Sequence, residues 1–249
     1  FEVLGTEMEF DDKEEAKYPP IVIELGNGKK ITLRGKIDRV DIAKLPNGKY
    51  IRIIDYKSRN HDIELDKLID GLQLQLITYV DVATKNENAL PAGALYFTLT
   101  EPQIKEGRLN NLTSEEIENK IRENYRMEGL ILADVHVIKA MDNNIEQTSN
   151  QIHVKLDNKG EKIDKRSTKN AISREEFEKL QEYSVKLLKQ ISKEIMSGNI
   201  DIKPYYLKGT TPCTYCKYKS ICNFDSKNKE NNYRFIPHYK DTDILDKIK

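Results

Sequence analysis

Gly35-Lys36-Ile37-Asp38-Arg39-Val40-Asp41, followed by Ile53-Ile54-Asp55-Tyr56-Lys57-Ser58, puts a carboxylate ahead of an apolar strand that ends in Asp-x-Lys. Alternate side chains of a strand leave from one face, so Asp55 and Lys57 point together and Tyr56 points away. Asp38 is expected on the neighbouring strand of the same sheet. Two carboxylates and an ammonium group then converge on one site, where hard oxygen ligands suit magnesium and the lysine can meet a water or a phosphate oxygen. The chemistry this favours is hydrolysis of a phosphodiester. An Asp-x-Lys pair alone is commoner as a solvated strand end, so the reading depends on what surrounds it.

The segment that follows supplies the first support. Leu68, Leu72, Gln75, Leu76 and Tyr79 recur at three- and four-residue steps, which predicts a helix over 63–84. Gln75 and Tyr79 share a face there, a polar pair inside an apolar stripe directly after the Asp-x-Lys strand. A satisfied buried amide explains Gln75 alone as well as a functional role does.

The rest of the chain reads as α/β. Pro20 to Leu25 and Lys30 to Ile42 alternate like paired strands around Gly26-Asn27-Gly28, and a third strand, 50–57, follows the Pro46-Asn47-Gly48 turn. With the 63–84 helix and a strand over 92–100 this makes βββαβ. Beyond it a helix is expected over 114–125 behind a Thr113 or Ser114 cap. Strands are expected over 134–140 and 151–156 around the Asp142-Asn143-Asn144 turn, and 159–170 reads as a polar loop. The strongest helix spans 173–197: Ser173-x-x-Glu176 is a capping box, Phe177, Leu180, Leu187, Leu188 and Ile191 form its buried stripe, and Gly198 stops it.

Composition narrows the class. The 249 residues can bury one sizeable core with a small appendage, and 33% charged against 38% hydrophobic residues gives a well-solvated surface. No apolar run approaches the ~18 residues of a membrane span. No signal peptide is visible and three cysteines argue against a disulfide framework, so a cytoplasmic location is expected. The start at Phe1 reads as that of an excised or processed product. Since 41 basic residues balance 41 acidic ones, any attraction for phosphate must be local. Between Lys203 and Lys229 six lysines face one aspartate, interleaved with Tyr205, Tyr206, Tyr215, Tyr218 and Phe224. Lys203, Lys208, Lys217 and Lys219 are therefore candidate contacts to a single DNA strand, by phosphate neutralisation beside base stacking, although a solvated basic face has the same composition. Cys213, Cys216 and Cys222, spaced C-x2-C-x5-C after Pro212, can turn three thiolates to one metal centre, but a tetrahedral zinc or an iron–sulfur cluster takes four ligands. His238 lies sixteen residues further on, in a polar tail.

In that order, Gly35-x-x-Asp38-Arg39, Ile54-Asp55-Tyr56-Lys57 and Gln75-Leu76-x-x-Tyr79 resemble the motifs of RecB-type PD-(D/E)-x-K nucleases. The run continues through Gly93-Ala94-Leu95-Tyr96-Phe97, Met127-x-Gly129-Leu130, Met141-Asp142 and Glu194-Ile195-x-x-Gly198-x-Ile200 to the cysteines, and is similar to the C-terminal nuclease domain of the AddB family. The resemblance implies a restriction-endonuclease-like α/β core lacking its leading helix, with residues 1–202 as nuclease domain, 203–235 as cysteine segment and 236–249 as tail. It implies magnesium on Asp38, Asp55 and the Tyr56 carbonyl, with Lys57 orienting the attacking water and Gln75 and Tyr79 positioning Lys57 or the strand. Arg39 and Asp41 are weaker candidates, and each reads equally well as part of a surface ion pair. The resemblance also implies a [4Fe-4S] cluster on Cys213, Cys216, Cys222 and an upstream cysteine, an AddA-type helicase-nuclease as partner, and the 5′-terminated strand of a broken duplex as substrate for recombinational repair. RecB-like nucleases add a histidine ligand from the leading helix, and none of His61, His136, His153 or His238 stands in an equivalent place; Glu7 or Glu9 are the nearest substitutes. A CRISPR-associated nuclease is more compact between Glu101 and Lys203. A degenerate scaffold that only binds DNA or a partner is disfavoured by intact Asp38, Asp55 and Lys57.

Overall fold

The strand expected over 30–42 is two strands with separate partners. In the computed structural model, which describes residues 1–100, 113–168, 170–229 and 231–237, Lys29–Leu33 (β3) folds back on Ile21–Gly26 (β2), whereas Gly35–Leu45 (β4) enters a six-stranded sheet. That sheet begins with Glu2–Phe10 (β1), a strand absent from the sequence expectation because the glutamates and small residues of this edge strand mask its alternation. The expected βββαβ core is therefore present, but β1 is its first strand and the β2–β3 hairpin is an insertion ahead of β4. Gly35 permits the pairing: a Cβ there would stand 2.5 Å from the Phe10 ring that crosses it.

From β4 the chain turns into Gly48–Lys57 (β5), crosses through Leu65–Ile69 (α1) and Gln75–Glu87 (α2), and returns as Leu90–Thr98 (β6). The β1–β4 and β4–β5 pairs are antiparallel, while the helical crossover makes β5–β6 parallel. The single helix expected over 63–84 is broken at Gly71, whose φ of 82° ends the first turn of helix and lets the second start at Gln75. Ser114–Asn124 (α3) has a capping box on Thr113, as its sequence predicts.

Glu128–Leu132 (β7) pairs antiparallel with β6, and Ala171–Ile172 (β8) closes the sheet in the order β1-β4-β5-β6-β7-β8. The strand expected over 134–140 is instead the helix Val135–Met141 (α4). The Asp134 carboxylate caps it, accepting from the N–H groups of His136 at 2.8 Å and Val137 at 3.2 Å, and Val137, Ile138 and Met141 face the core. Seven residues are too few for apolar spacing to separate helix from strand. Residues 151–156 form isolated bridges, Met127 with Ile152 and Thr148 with Lys155, and no named strand. They are gathered by the buried Asp142, which accepts from the Ser149 hydroxyl at 2.7 Å and the Asn150 N–H at 3.0 Å. The polar loop after them is pinned by turns at Asp157 and Asp164 and by the buried Thr168.

Arg174–Met196 (α5) starts at the Ser173 capping box and buries Phe177 and Leu180, while Leu187, Leu188 and Ile191 of the expected buried stripe are only half-buried. Against the crossover helices it forms a polar seam: Gln181 Nε2 donates to Thr84 Oγ1 at 3.1 Å and the Tyr183 hydroxyl to the Ile69 carbonyl at 2.8 Å. These bonds hold α1 and α2 over β5 and β6. The C-terminal segment pairs Tyr205–Tyr206 (β9) with Arg234–Phe235 (β10) and buries Leu207 and Ile236, the latter on the tail side of the expected boundary. Arg234 ties it back to α1 through Asp70 at 2.9 Å. Lys219–Cys222 (α6) is a single turn within it. His238 and the remainder of the tail lie outside the described residues. Among the described residues no helix is long and apolar enough to cross a membrane.

Candidate active site

Strand register assembles the site. Arg39 pairs with Ile54 and Asp55 pairs with Tyr96, which in turn pairs with Glu128. One step along the first ladder, Asp38 stands opposite Asp55, so Asp38, Asp55, Tyr96 and Glu128 form a row across one face of the sheet. Glu7 lies at the edge between the pairs Thr6–Arg39 and Met8–Ile37, with a φ of 52° that interrupts the regular ladder there. Lys57 and its partner Thr98 occupy the next row on the same face.

Asp55 is 2% exposed, with Lys57 Nζ 2.5 Å from Oδ2. That oxygen is buried against the Lys57 ammonium and has no other hydrogen-bond partner among the described residues. Burial is the largest influence on the carboxyl and raises its pKa; Lys57 pulls it down, Asp38 pushes it up and His61 pulls it down. Asp38 is fixed by the Tyr56 N–H, which donates to Oδ2 at 3.0 Å. In an extended strand a residue's N–H and C=O face the same edge, so the Tyr56 carbonyl also looks toward Asp38. Lys57 donates to Gln75 Oε1 at 3.5 Å, and Gln75 Nε2 donates to the Tyr79 hydroxyl at 3.1 Å. The break at Gly71 gives the reason: Gln75 begins α2 at the end of β5, and Tyr79 is one turn on. Asp38, Asp55, Lys57, Gln75 and Tyr79 are thus one connected constellation.

A magnesium ion fits this donor set. Two carboxylates and a backbone carbonyl, with water and phosphate completing the shell, are what this ion ordinarily takes, and the buried Asp55 Oδ2 already has a cation, the Lys57 ammonium, against it. Among the described residues no three His, Cys, Asp or Glu side chains gather as a metal cluster, so neither Glu7 nor Glu9 completes a third protein carboxylate. Glu7 is ion-paired with Lys36 and Glu9 with Lys13 at 3.3 Å.

Two neighbours of the site carry no role in the sequence reading. Tyr96 lies beneath Lys57, with Nζ 5.5 Å from its ring centre, and its hydroxyl is pushed up to about 12 by burial, then by Asp55 and Asp62. His61 packs edge-on against the Tyr96 ring at 4.9 Å. Tyr96 is visible in the Gly93-to-Phe97 run, but only the parallel register with β5 carries it to Asp55. Arg39 and Asp41 belong elsewhere. They project from the opposite face, where Asp41 is fully buried between Arg39 Nε at 2.7 Å and the Arg52 guanidinium at 2.9 Å, and Arg52 lies over the Phe1 ring at 4.8 Å. This is a structural ion cluster, and it corrects their candidacy.

The lysine and cysteine candidates sit on the C-terminal segment. Lys203 meets Asp201 at 2.7 Å and Lys208 lies 3.5 Å from Asp66, while Lys217 and Lys219 are exposed. Tyr206 and Phe224 pack with Tyr233 rather than standing free, whereas Tyr215 and Tyr218 are exposed. Cys213 is half-buried, Cys216 and Cys222 are exposed, and all three are unpaired thiols. They are three candidate ligands in one short stretch, one fewer than a [4Fe-4S] cluster takes, and among the described residues their side chains do not gather into a metal-binding group.

Residues 1–223 match the PD-(D/E)XK nuclease superfamily. The chain is 44% identical over 98% of its length to the B-type subunit of the ATP-dependent helicase/deoxyribonuclease of Ruminiclostridium cellulolyticum, and 45% identical over 98% to that of Acetivibrio thermocellus. It is 40% identical over its whole length to the protein of that name from Clostridium novyi. It covers 21–22% of these relatives, about a fifth of their length. With the motif residues gathered on one face and the family match extending over nearly all of the sheet, this chain belongs to the PD-(D/E)XK nuclease superfamily.

Proposed function

We propose that the chain is the magnesium-dependent deoxyribonuclease part of a helicase-nuclease, acting on a single DNA strand released by unwinding. The observation that carries this reading is the convergence of Asp38, Asp55, Lys57, Gln75 and Tyr79, with the buried Asp55 carboxylate held against the Lys57 ammonium at 2.5 Å. Asp38, Asp55 and the Tyr56 carbonyl would hold the ion. When bound, magnesium would polarise a phosphate oxygen and make its water more acidic.

The chain's own residues account for the rest. Tyr56 N–H fixes Asp38, so that carboxylate is preorganised. Lys57, tethered between Asp55 and Gln75, presents an ammonium group to the developing charge on the phosphate and to the attacking water. Tyr79 holds the Gln75 amide, and through it the height of Lys57. Attack that expels the 3′ oxygen leaves 5′-phosphate and 3′-hydroxyl ends. The names of the relatives support a place beside a helicase. The motif resemblance extends this to a partner of AddA type, to action at double-strand breaks for recombinational repair, and to the 5′-terminated strand as substrate. In the longer protein Cys213, Cys216 and Cys222 would supply three ligands of a [4Fe-4S] cluster.

The test uses the complete helicase-nuclease. Asp55→Ala is expected to abolish magnesium-dependent cutting of one strand while unwinding continues, since a lost carboxylate weakens ion binding and removes charge compensation. Unchanged cutting of both strands would leave only a scaffold role.

A further inference from the structure

Beyond Lys57 the same sheet face opens into a cavity of about 550 Å³, bounded by Ser58, Arg59, Thr98, Arg126, Glu128 and His153. Its position follows from register. Thr98 pairs with Lys57, and Glu128 pairs with Tyr96, the partner of Asp55. Strands lie about 4.8 Å apart, so the cavity begins roughly one strand spacing from the Asp55–Lys57 pair.

Its polar groups are unequally satisfied. Glu128 is engaged by His153 Nε2 at 2.9 Å, and Glu123 by a terminal nitrogen of Arg126 at 3.4 Å. Arg126 is 13% exposed, and its Nε is buried with no hydrogen-bond partner among the described residues. Arg59 is exposed at the rim, with no ion pair or hydrogen bond among the described residues. A buried guanidinium N–H without an acceptor is costly, and a phosphate is the acceptor that a planar fork of donors fits best. Glu123 has a cationic partner in Arg126 and Glu128 is contacted by His153 Nε2, so neither carboxylate stands bare in the cavity. The volume falls within the range of small-ligand sites.

We propose that this cavity holds the nucleotide flanking the scissile phosphodiester, with its phosphate on Arg59 and Arg126, and so sets the register of the strand on the Asp55–Lys57 pair. This deepens the nuclease reading and rests on it. Phosphate contacts of this kind position a strand without reading its sequence, which suits an enzyme that degrades whatever strand it is given.

The test is a scan of single-stranded deoxyoligonucleotides in which one phosphate at a time is replaced by an uncharged methylphosphonate, with binding followed by fluorescence anisotropy and cleavage by product length. One position adjacent to the scissile bond is expected to weaken binding about ten-fold, the scale of a lost charge-assisted contact. Arg126→Ala and Arg59→Ala are each expected to weaken binding of the unmodified strand, and in both variants that one methylphosphonate loses its extra effect while the others keep theirs. Melting curves accompany each variant. Because Arg126 is enclosed, surface Arg59→Ala carries the test if Arg126→Ala fails to fold. Equal sensitivity at every phosphate, or unchanged affinity in folded Arg59→Ala, overturns the proposal. Failure of the nuclease reading looks different: no strand is cut by the unaltered chain in magnesium, while the binding scan still reports whether a single phosphate is singled out.

Discussion

The Asp55 carboxylate is buried, and that burial raises its pKa in spite of the Lys57 ammonium 2.5 Å from Oδ2, so its charged form is a net cost to the fold. Removing its charge should therefore separate stability from chemistry. Asp55→Asn is expected to melt a few degrees higher than the unaltered chain in metal-free buffer, corresponding to about 1 kcal/mol, while calorimetric magnesium binding and strand cleavage are lost. A lower melting temperature in chelator would mean that the Lys57 contact outweighs the burial. Lys57 tests the neighbouring link. Gln75→Ala removes the oxygen that Lys57 reaches at 3.5 Å and the amide that donates to Tyr79 at 3.1 Å, but no ion ligand. It is expected to lower kcat by roughly ten- to a hundred-fold with magnesium affinity unchanged, as befits a residue acting through another. Equal loss in metal affinity would place Gln75 in the ion's own shell.

At the scale of elements, the site depends on how closely β7 approaches β6. Gly129 has a φ of 126°, and a Cβ there would stand 2.2 Å from the Ala94 carbonyl oxygen. Gly129→Ala is expected to cost about 3 kcal/mol or more in denaturant unfolding, by combining backbone strain with a clash against main chain. Gly28→Ala is the comparison, because its φ is 72° but nothing lies within 4 Å, so it should cost only about 1–2 kcal/mol. Comparable losses would show that conformation, not close approach, decides both positions. The helix boundaries follow the same logic. Capping boxes at Thr113 and Ser173 are local, three-residue devices and are legible directly. The break between α1 and α2 is not, since the apolar stripe passes through Gly71 without interruption and only the packing of α5 over that turn requires two helices.

At the scale of the whole molecule, the C-terminal segment is tied to the nuclease core by a few contacts, chiefly Arg234 with Asp70 and the buried Leu207 and Ile236. A cluster on its cysteines would add a metal-dependent tie, because ligand binding to the folded form alone stabilises it. In the proposed helicase-nuclease, with the cluster proposed above, Cys216→Ala is expected to remove iron and acid-labile sulfide and to expose the 203–229 stretch to limited proteolysis, with the Asp38–Asp55 face intact by magnesium binding. Full iron content in that variant would exclude Cys216 as a ligand.

The sequence determined what is local or strictly periodic: the Asp-x-Lys strand end, its face, the capped helices 114–124 and 174–196, and the three-cysteine spacing. Asp38 could be placed beside Asp55 because an antiparallel hairpin turns sequence distance into register. Tertiary structure alone decided what depends on non-local pairing. β1 became the edge of the sheet although its glutamates read as solvated, and 134–140 became helix because a core waited on one side of it. Arg39 and Asp41 left the site for the opposite face through the one-residue parity of β4, and Tyr96 reached Asp55 through a parallel register set by a helical crossover. Alternation fixes which residues share a face. Which strand lies beside which, and what covers that face, is fixed by burial summed over the whole sheet, which no short window of sequence contains.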